Sequence, residues 1–338
     1  MGLSSKLAET IGSLGMHTPS PIQDQVITEI LKGHDVIGLA QTGTGKTAAF
    51  LIPLIEKLTH DPKRQVLILA PTRELALQIE QELRSLARGM RVFSTVCVGG
   101  VNIRPQISGL KRPNHFIIGT PGRVLDLMRQ GYFHPERMNA VVLDEADRML
   151  DMGFINDMRT ILSATPKDRE TLFFSATMSP ATDKLVNDFL RNPVRVSVKK
   201  NDVINTIEQD VVRYKHDAKF ETLHTLLTLP EYKRVIVFGA MKHSVERLAR
   251  ELSAQGIKAE SIHGNKSHSQ RQRSLKNFKD GKAQVLVATD VAARGIHVEN
   301  VSHVINYDLP GTFEDYVHRI GRTGRADKRG KALTFIQA

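Results

Sequence analysis

The sequence predicts an α/β protein with two tandem domains, each built on a parallel β-sheet flanked by helices. With 338 residues, the chain is too long for one ordinary core and suits two domains of ~150 residues each. Short β-branched runs alternate with stretches of helical periodicity. In residues 72–88, for example, Leu75, Ile79, Leu83 and Leu86 recur at helical spacing. Such alternation is typical of a parallel sheet covered by helices on both faces.

The predicted strands fall into two series along the chain. The first series lies at residues 36–40, 66–70, 92–98, 115–119, 140–143 and 171–175. The second series lies at residues 235–238, 259–262, 285–288 and 303–306. A polar stretch without periodicity, residues 198–206, separates the two series and is the predicted linker. The predicted domains are therefore residues 1–200 and 207–338.

The composition favours a globular protein of the cytoplasm. Hydrophobic residues make up 41% of the chain and charged residues 25%, and no apolar run approaches the ~18 residues of a membrane span. The first residues lack the pattern of a secretory signal. Cys97, the one cysteine, has no partner for an internal disulfide, so a reduced compartment is expected.

Positive charge is spread over both halves of the chain. The net charge is +11, with 25 Lys and Arg against 20 Asp and Glu in residues 1–200, and 22 against 16 in residues 201–338. This distribution suits a polyanion that contacts both halves. The alternative is a basic surface that only aids solubility.

A phosphate-binding loop is predicted between the first strand and the helix that follows it. Its residues are Ala40, Gln41, Thr42, Gly43, Thr44, Gly45, Lys46 and Thr47. The glycines allow backbone N–H groups to point at a phosphate, and the helix adds its positive end. Lys46 is expected to reach the β- and γ-phosphates of a nucleotide, and the Thr47 hydroxyl to bind Mg²⁺.

A second motif of charged residues follows the apolar strand at residues 140–143, where the chain reads Asp-Glu-Ala-Asp. Carboxylates at the carboxyl end of such a strand suit metal binding and water activation. We expect Asp144 to hold Mg²⁺ through water and Glu145 to polarise the attacking water. The alternative is a solvated acidic turn that caps the next helix.

These motifs, with others in the same order, resemble those of the DEAD-box family of ATP-dependent RNA helicases. The matching segments are Asp-Glu-Ala-Asp at 144–147, Pro-Ser-Pro-Ile-Gln at 19–23, Pro-Thr-Arg-Glu-Leu at 71–75, Gly-Gly at 99–100, Thr-Pro-Gly-Arg at 120–123 and Ser-Ala-Thr at 175–177. The resemblance extends from residue 15 to residue 325. It implies two RecA-like domains joined by a short linker. Residues 263–267 and that linker look most like bacterial RhlE-type members.

Residue by residue, the resemblance assigns Gln23 to the adenine. A Gln amide offers one donor and one acceptor to adenine, and guanine does not match that pair, so ATP is expected over GTP. The family usually has an aromatic residue where this chain has Met16, so weaker stacking on the adenine is expected.

The resemblance also assigns an RNA path that contacts phosphate and sugar without reading base edges. The residues concerned are Arg73, Gly100, Thr120 and Arg123 in the first half, and Arg273, Thr289 and Asp290 in the second. Some have a structural alternative, since Thr120 is also a plausible helix start.

Three arginines lie between glycines in residues 316–325, a pattern suited to neutralising the charge that develops during phosphoryl transfer. The family resemblance maps the nucleotide contacts onto Arg322 and Arg325. It also places Gly295 and His297 at the nucleotide, and His318 as a bridge toward Ser175 and Asp147 when the domains close. Thr177 is assigned to the same coupling between domains. A packed histidine in a loop is the alternative for His318.

The predicted function is an RNA-dependent ATPase that locally unwinds short RNA duplexes, with ATP and Mg²⁺ as cofactors. A monomer acting in RNA metabolism, largely independent of RNA sequence, is expected. Two alternatives remain open: a DNA helicase of the same superfamily, and an ATP-dependent RNA clamp without turnover.

Overall fold

The computed structural model describes residues 2–40, 44–198, 207–293, 298, 300–323 and 330–338. Contacts between Cα atoms divide the chain into two compact units, residues 1–199 and 200–338. Apart from Val198, the predicted linker lies outside the described residues. In the described part of the chain, no helix is long and apolar enough to cross a bilayer.

Unit 1 contains a parallel sheet of seven strands in the order β3-β4-β2-β5-β6-β1-β7. The strands are β1 (Val36–Leu39), β2 (Val66–Leu69), β3 (Ser94–Cys97), β4 (Phe116–Gly119), β5 (Ala140–Leu143), β6 (Glu170–Ser175) and β7 (Val194–Ser197). The helices are α1 (Ser5–Ser13), α2 (Pro21–Leu31), α3 (Lys46–His60), α4 (Arg73–Leu86), α5 (Arg104–Leu110), α6 (Pro121–Arg129), α7 (Ala146–Asp151), α8 (Ile155–Ser163) and α9 (Pro180–Phe189), with a 3₁₀ turn at Pro135–Arg137.

Unit 2 contains a parallel sheet of six strands in the order β10-β11-β9-β12-β13-β8. The strands are β8 (Ile207–Tyr214), β9 (Val235–Phe238), β10 (Ala259–Ile262), β11 (Val285–Ala288), β12 (His303–Asn306) and β13 (Gly330–Gln337). The helices are α10 (Lys219–Thr228), α11 (Lys242–Ala254), α12 (His268–Lys279), α13 (Asp290–Ala293) and α14 (Phe313–Ile320).

The fold class is as the strand–helix rhythm predicts. All ten predicted strands exist, with small differences at their ends. Central strands such as β2, β4, β5 and β6 are buried along their whole length, because helices cover both faces of the sheet. Three observed strands, β7, β8 and β13, are missing from the prediction.

The register of the sheet in unit 1 brings the candidate residues to one edge. Leu39 of β1 pairs with Ser175 of β6, and Leu69 of β2 pairs with Gly119 of β4 and Leu143 of β5. The loops that follow these strands therefore leave from the same edge of the sheet. In open α/β sheets, that carboxyl edge is where ligands bind.

Cys97 ends β3 and its side chain is buried in the core. Burial raises the pKa of its thiol to about 12, and only the thiolate is a good nucleophile. We therefore expect the native protein to react with a disulfide reagent near neutral pH at least about 100-fold more slowly than the unfolded protein. Release of the coloured thiol, followed with and without guanidinium, measures both rates. Equal rates would show that Cys97 is accessible.

Candidate nucleotide and RNA sites

Two hydrogen bonds tie the start of α2 to the end of the phosphate loop, and a third orders the start of α2 itself. The Ser20 N–H donates to Gln23 Oε1 at 2.9 Å, and Gln23 Nε2 donates to the carbonyl of Gly45 at 3.1 Å. The Ser20 hydroxyl donates to the carbonyl of Thr44 at 2.7 Å. The Gln23 amide retains one N–H and one lone pair, which leaves it able to offer a donor and an acceptor to an adenine.

Gly45 is a position where the geometry demands glycine. Its φ is +87°, and a Cβ there would lie 2.5 Å from Gln23 Nε2 and 3.2 Å from the Ser20 hydroxyl. We expect Gly45→Ala to weaken binding of a fluorescent ATP analogue by about tenfold or more, because it both strains the backbone and displaces Gln23.

Gly33 is a matched control for this experiment. Its φ of +86° is nearly the same, yet a Cβ on Gly33 meets nothing within 4 Å. Gly33→Ala should therefore carry the backbone strain without the collision. If both variants bound the analogue equally well, the Gln23–Gly45 contact would have no part in nucleotide binding.

Lys46 bridges the two described ends of the phosphate loop. It is the first residue of α3, and its buried Nζ donates to the carbonyl of Ala40 at 2.7 Å. An ammonium group has three N–H donors, so two remain for a phosphate. Thr47 follows in the first turn of α3. The predicted residues Gln41, Thr42 and Gly43 lie outside the described residues.

The acidic turn after β5 is almost entirely buried. The Asp144 carboxylate is 2% exposed and accepts the Glu145 N–H at 3.0 Å. Burial raises the pKa of Asp144 to about 6, although the nearby Lys46 ammonium opposes that change. The nearby Lys46 ammonium is therefore the main group that stabilises the ionised form of Asp144.

Glu145 adopts an unusual backbone conformation. Its φ of 51° and ψ of 50° lie in the left-handed region, which is uncommon outside glycine and clusters at functional sites. Its Oε2 accepts a hydrogen bond from Arg148 Nη1 at 2.9 Å, and both side chains are buried. Arg148 was not among the residues predicted from the sequence. An oppositely charged residue three positions after Glu145 at a helix start was the available signal.

Asp147 joins the ends of β5 and β6. Its Oδ2 accepts the N–H of Ala176 at 3.0 Å, the N–H of Thr177 at 2.9 Å and the Thr177 hydroxyl at 3.1 Å. The Ser175 hydroxyl donates to the carbonyl of Thr177 at 2.7 Å. Three of the four residues predicted to couple the domains are therefore in one hydrogen-bonded group within unit 1.

The oxygen donors at this edge are chemically suited to Mg²⁺. Mg²⁺ usually takes one or two protein oxygens and completes its octahedron with waters and substrate phosphates. Asp144 and Thr47 are such donors. Within the described ranges, no group of three or more His, Cys, Asp or Glu residues is arranged to hold a metal without other ligands.

The residues predicted to contact RNA in unit 1 share the same edge, after β2, β3 and β4. The close approach of Gly100 to Arg73 is such that a Cβ on Gly100 would overlap the guanidinium. Arg123 Nη2 donates to the carbonyl of Val101, next to Gly100, at 3.4 Å. Thr120 is buried, and its N–H donates to the carbonyl of Cys97 at 3.0 Å. The structure thus places these four residues on neighbouring loops.

In unit 2, the side chain of Asp290 is held by an arginine. Arg319 donates from Nε to Asp290 Oδ1 at 2.6 Å and from Nη2 to Oδ2 at 2.7 Å. An RNA contact by Asp290 would therefore have to come from its backbone or from a carboxylate already shared with Arg319. Thr289 precedes it and is buried, whereas Arg273 on α12 is exposed.

The predicted nucleotide contacts of unit 2 are only partly described. Arg322 is 3% exposed and donates from Nε to the carbonyl of His318 at 3.2 Å. His318 itself lies on α14. Arg325, Gly295 and His297 lie outside the described residues.

Comparisons with known proteins agree with these motifs. Residues 20–185 match the family model "DEAD/DEAH box helicase", and residues 218–327 match "Helicase conserved C-terminal domain". The DEAD-box ATP-dependent RNA helicase CshA of Bacillus licheniformis is 46% identical over 99% of this chain and 69% of its own length. S. cerevisiae Dbp5 bound to RNA and ADP BeF3 is 32% identical, with a TM-score of 0.89 over 100% of this chain and 88% of that one. Mss116p bound to ssRNA and AMP-PNP is 30% identical, with a TM-score of 0.89 over 99% and 73% of the two chains.

Proposed function

Since this chain belongs to the DEAD-box family of ATP-dependent RNA helicases, we propose that it hydrolyses ATP in response to RNA and locally separates short RNA duplexes. The observation that carries this proposal is the group of motifs at the carboxyl edge of the unit 1 sheet. There the Gln23–Gly45 contact, Lys46 and the Asp144–Glu145 turn meet where a nucleoside triphosphate would bind.

Each of these residues has a proposed role in the reaction. Gln23 reads the adenine, Lys46 contacts the phosphates, and Asp144 and Thr47 hold Mg²⁺, which neutralises charge on the phosphates. Glu145 orients and polarises the attacking water. From unit 2, Arg322 and Arg325 neutralise the charge that develops in the transition state.

RNA is the proposed activator because it offers phosphates to both units. The proposed RNA contacts come from Arg73, Gly100, Thr120 and Arg123 in unit 1, and from Arg273, Thr289 and Asp290 in unit 2. They address backbone and sugar, so binding is expected to be largely independent of sequence. A reaction that needs residues of both units couples RNA binding to hydrolysis, and Ser175, Thr177, Asp147 and His318 are proposed to transmit that coupling.

Finer assignments are also part of the proposal. We place the protein in the cytoplasm as a monomer acting in RNA metabolism. The likeness to RhlE-type members rests on residues 263–267 and the short linker, while bacterial relatives that match over 99% of this chain carry the name CshA. The RhlE-type assignment therefore stays a prediction.

Steady-state ATPase activity with a panel of nucleic acids tests the function. We expect single-stranded RNA to stimulate hydrolysis at least about tenfold more than DNA of the same sequence, through contacts to the 2′-hydroxyl. Equal stimulation by DNA would favour a DNA helicase. Tight ATP-dependent RNA binding with negligible turnover would favour an RNA clamp.

His297 offers a further test, because the family resemblance implies an Asp at this position that helps to hold the ATP ribose. Neutral His keeps one donor or acceptor but lacks the negative charge. We expect His297→Asp to lower the KM for ATP modestly and to flatten its dependence on pH between about 6 and 8, where His titrates. A KM that is the same in both proteins at every pH would exclude a role for His297 in ATP binding.

A further inference from the structure

A cavity lies at the amino ends of the unit 1 strands, opposite the carboxyl ends that carry the nucleotide site. Its lining includes Gly33, Arg64, Asn139, Glu170 and Arg191, which stand before or at the start of β1, β2, β5, β6 and β7. The nucleotide residues follow the other ends of these same parallel strands. A four-residue strand is about 13 Å long, so the two sites are separated by at least the length of a strand.

The lining of this cavity, which we call the basic cavity, is rich in cations. It has a volume of about 370 Å³. Its cationic side chains are Lys57, Arg64, Arg137, Arg169 and Arg191. Its acidic side chains are Glu136, Asp168 and Glu170. Among the described residues that line it, cations therefore exceed carboxylates by two.

One carboxylate is already shared by two of these cations. Glu170 accepts both hydrogen bonds of Lys57 at 2.8 Å and one from Arg64 Nη2 at 2.6 Å. The cations that Glu170 does not pair with are Arg137, Arg169 and Arg191. Arg191 Nη2 donates to the backbone carbonyls of Asp168 and Arg169, both at 2.9 Å, and neither carbonyl carries a formal charge.

Burying the guanidinium of Arg169 costs free energy, which a bound anion would offset. It is 6% exposed, and its Nη atoms donate to the carbonyls of Pro166 at 2.9 Å and Phe189 at 3.4 Å. Its Nε is buried and has no hydrogen-bond partner among the described residues, and the same is true of Arg64 Nε. Burial lowers the pKa of Arg169, although the Asp35 carboxylate opposes that change. The oxygens of Asp35 also accept the backbone N–H groups of Thr171 and Arg191 at 2.8 and 2.7 Å.

We propose that the basic cavity is a binding site for a small phosphate anion, separate from the ATP site. A guanidinium presents its N–H donors in a planar fork that matches the oxygens of phosphate. The cationic side chains that line the cavity exceed its carboxylates by two, which suits a small anion. The volume accommodates inorganic phosphate or pyrophosphate but not a folded polyanion.

Calorimetric titration of the full chain with inorganic phosphate and with pyrophosphate, in phosphate-free buffer without Mg²⁺, tests the site. We expect saturable binding that Arg137→Gln weakens by about fivefold or more, since one charged hydrogen bond is lost. Arg137 is exposed, so this variant should fold normally. Glu136→Gln, which removes a lining carboxylate, should tighten binding. Arg112→Gln, an exposed arginine outside the cavity, should change nothing.

Two further arms make the outcome decisive. Lys46→Ala separates this site from the phosphate loop, because binding at the basic cavity should persist in that variant. Arg169→Lys keeps the charge but loses the planar fork, and should weaken phosphate more than it weakens citrate. The proposal is overturned if no saturable binding is seen, if Lys46→Ala abolishes it, or if Arg137→Gln and Arg112→Gln behave alike.

Discussion

Replacing Glu145 with Gln is expected to slow RNA-stimulated ATP hydrolysis by about 10²- to 10⁴-fold, the usual contribution of a general base. ATP-dependent RNA binding should remain. The reason lies in the charge, since Gln has nearly the same shape as Glu but cannot take a proton from water. Its amide oxygen can still accept the hydrogen bond from Arg148 Nη1, so the buried turn should keep its conformation.

The measurement combines single-turnover hydrolysis with RNA binding followed by fluorescence anisotropy. Glu9→Gln is the matched control, because Glu9 is an exposed residue of α1 and the change in charge is identical. Turnover that persists in Glu145→Gln would mean that another group activates the water. Loss of both hydrolysis and RNA binding would instead indicate that the carboxylate maintains the fold of the turn.

The backbone of Glu145 is in the left-handed region, which helps to fix where its carboxylate lies. Glu145 immediately precedes α7, and its side chain pairs with Arg148 of that helix, so the turn and this ion pair both help to fix its position. The sequence predicts which residue carries the carboxylate, because an acidic turn after an apolar strand is a local pattern. It does not predict the ion pair, which depends on the burial of Arg148.

Strand prediction succeeded and failed for similarly physical reasons. The central strands read as continuous apolar runs because both of their faces are buried, and they were predicted correctly. β7 and β8 are the last strands of their sheets, and residues such as Gln209 and Asp210 remain exposed there, so no apolar run marks them. β13 mixes apolar residues with Lys331 and Thr334, which gives neither a continuous run nor a strict alternation.

The arginine-rich segment, residues 316–325, shows what a local sequence pattern can and cannot predict. It predicts three cations in a short stretch, and only tertiary contacts separate their roles. Arg319 is 2% exposed and donates four hydrogen bonds within unit 2. It pairs with Asp290 and donates from Nη1 to Asn306 Oδ1 at 3.2 Å and to the carbonyl of Asp308 at 2.6 Å. Its guanidinium also lies 5.1 Å from the centre of the Phe238 ring.

Arg319→Met is therefore expected to destabilise unit 2 by about 3 kcal/mol, the lower end of the usual cost of removing one partner of a buried ion pair, because the Asp290 side chain is 25% exposed. The Asp290 carboxylate and the backbone carbonyl of Asp308 would both lose the hydrogen bonds that Arg319 donates. Hydrogen exchange read on peptides of β9 and β12 measures the local free energy of opening. That readout is needed because a chain of two units does not unfold in one step. Peptides of unit 1 should be unchanged.

Two companion variants separate the ion pair from a general effect of charge. Arg273→Met removes an exposed arginine of α12 and should change stability by less than about 0.5 kcal/mol. The double variant Asp290→Leu with Arg319→Met removes both charges and should recover much of the lost stability, because the desolvated carboxylate is gone. If Arg319→Met were as stable as Arg273→Met, the contacts of Arg319 would not anchor α14.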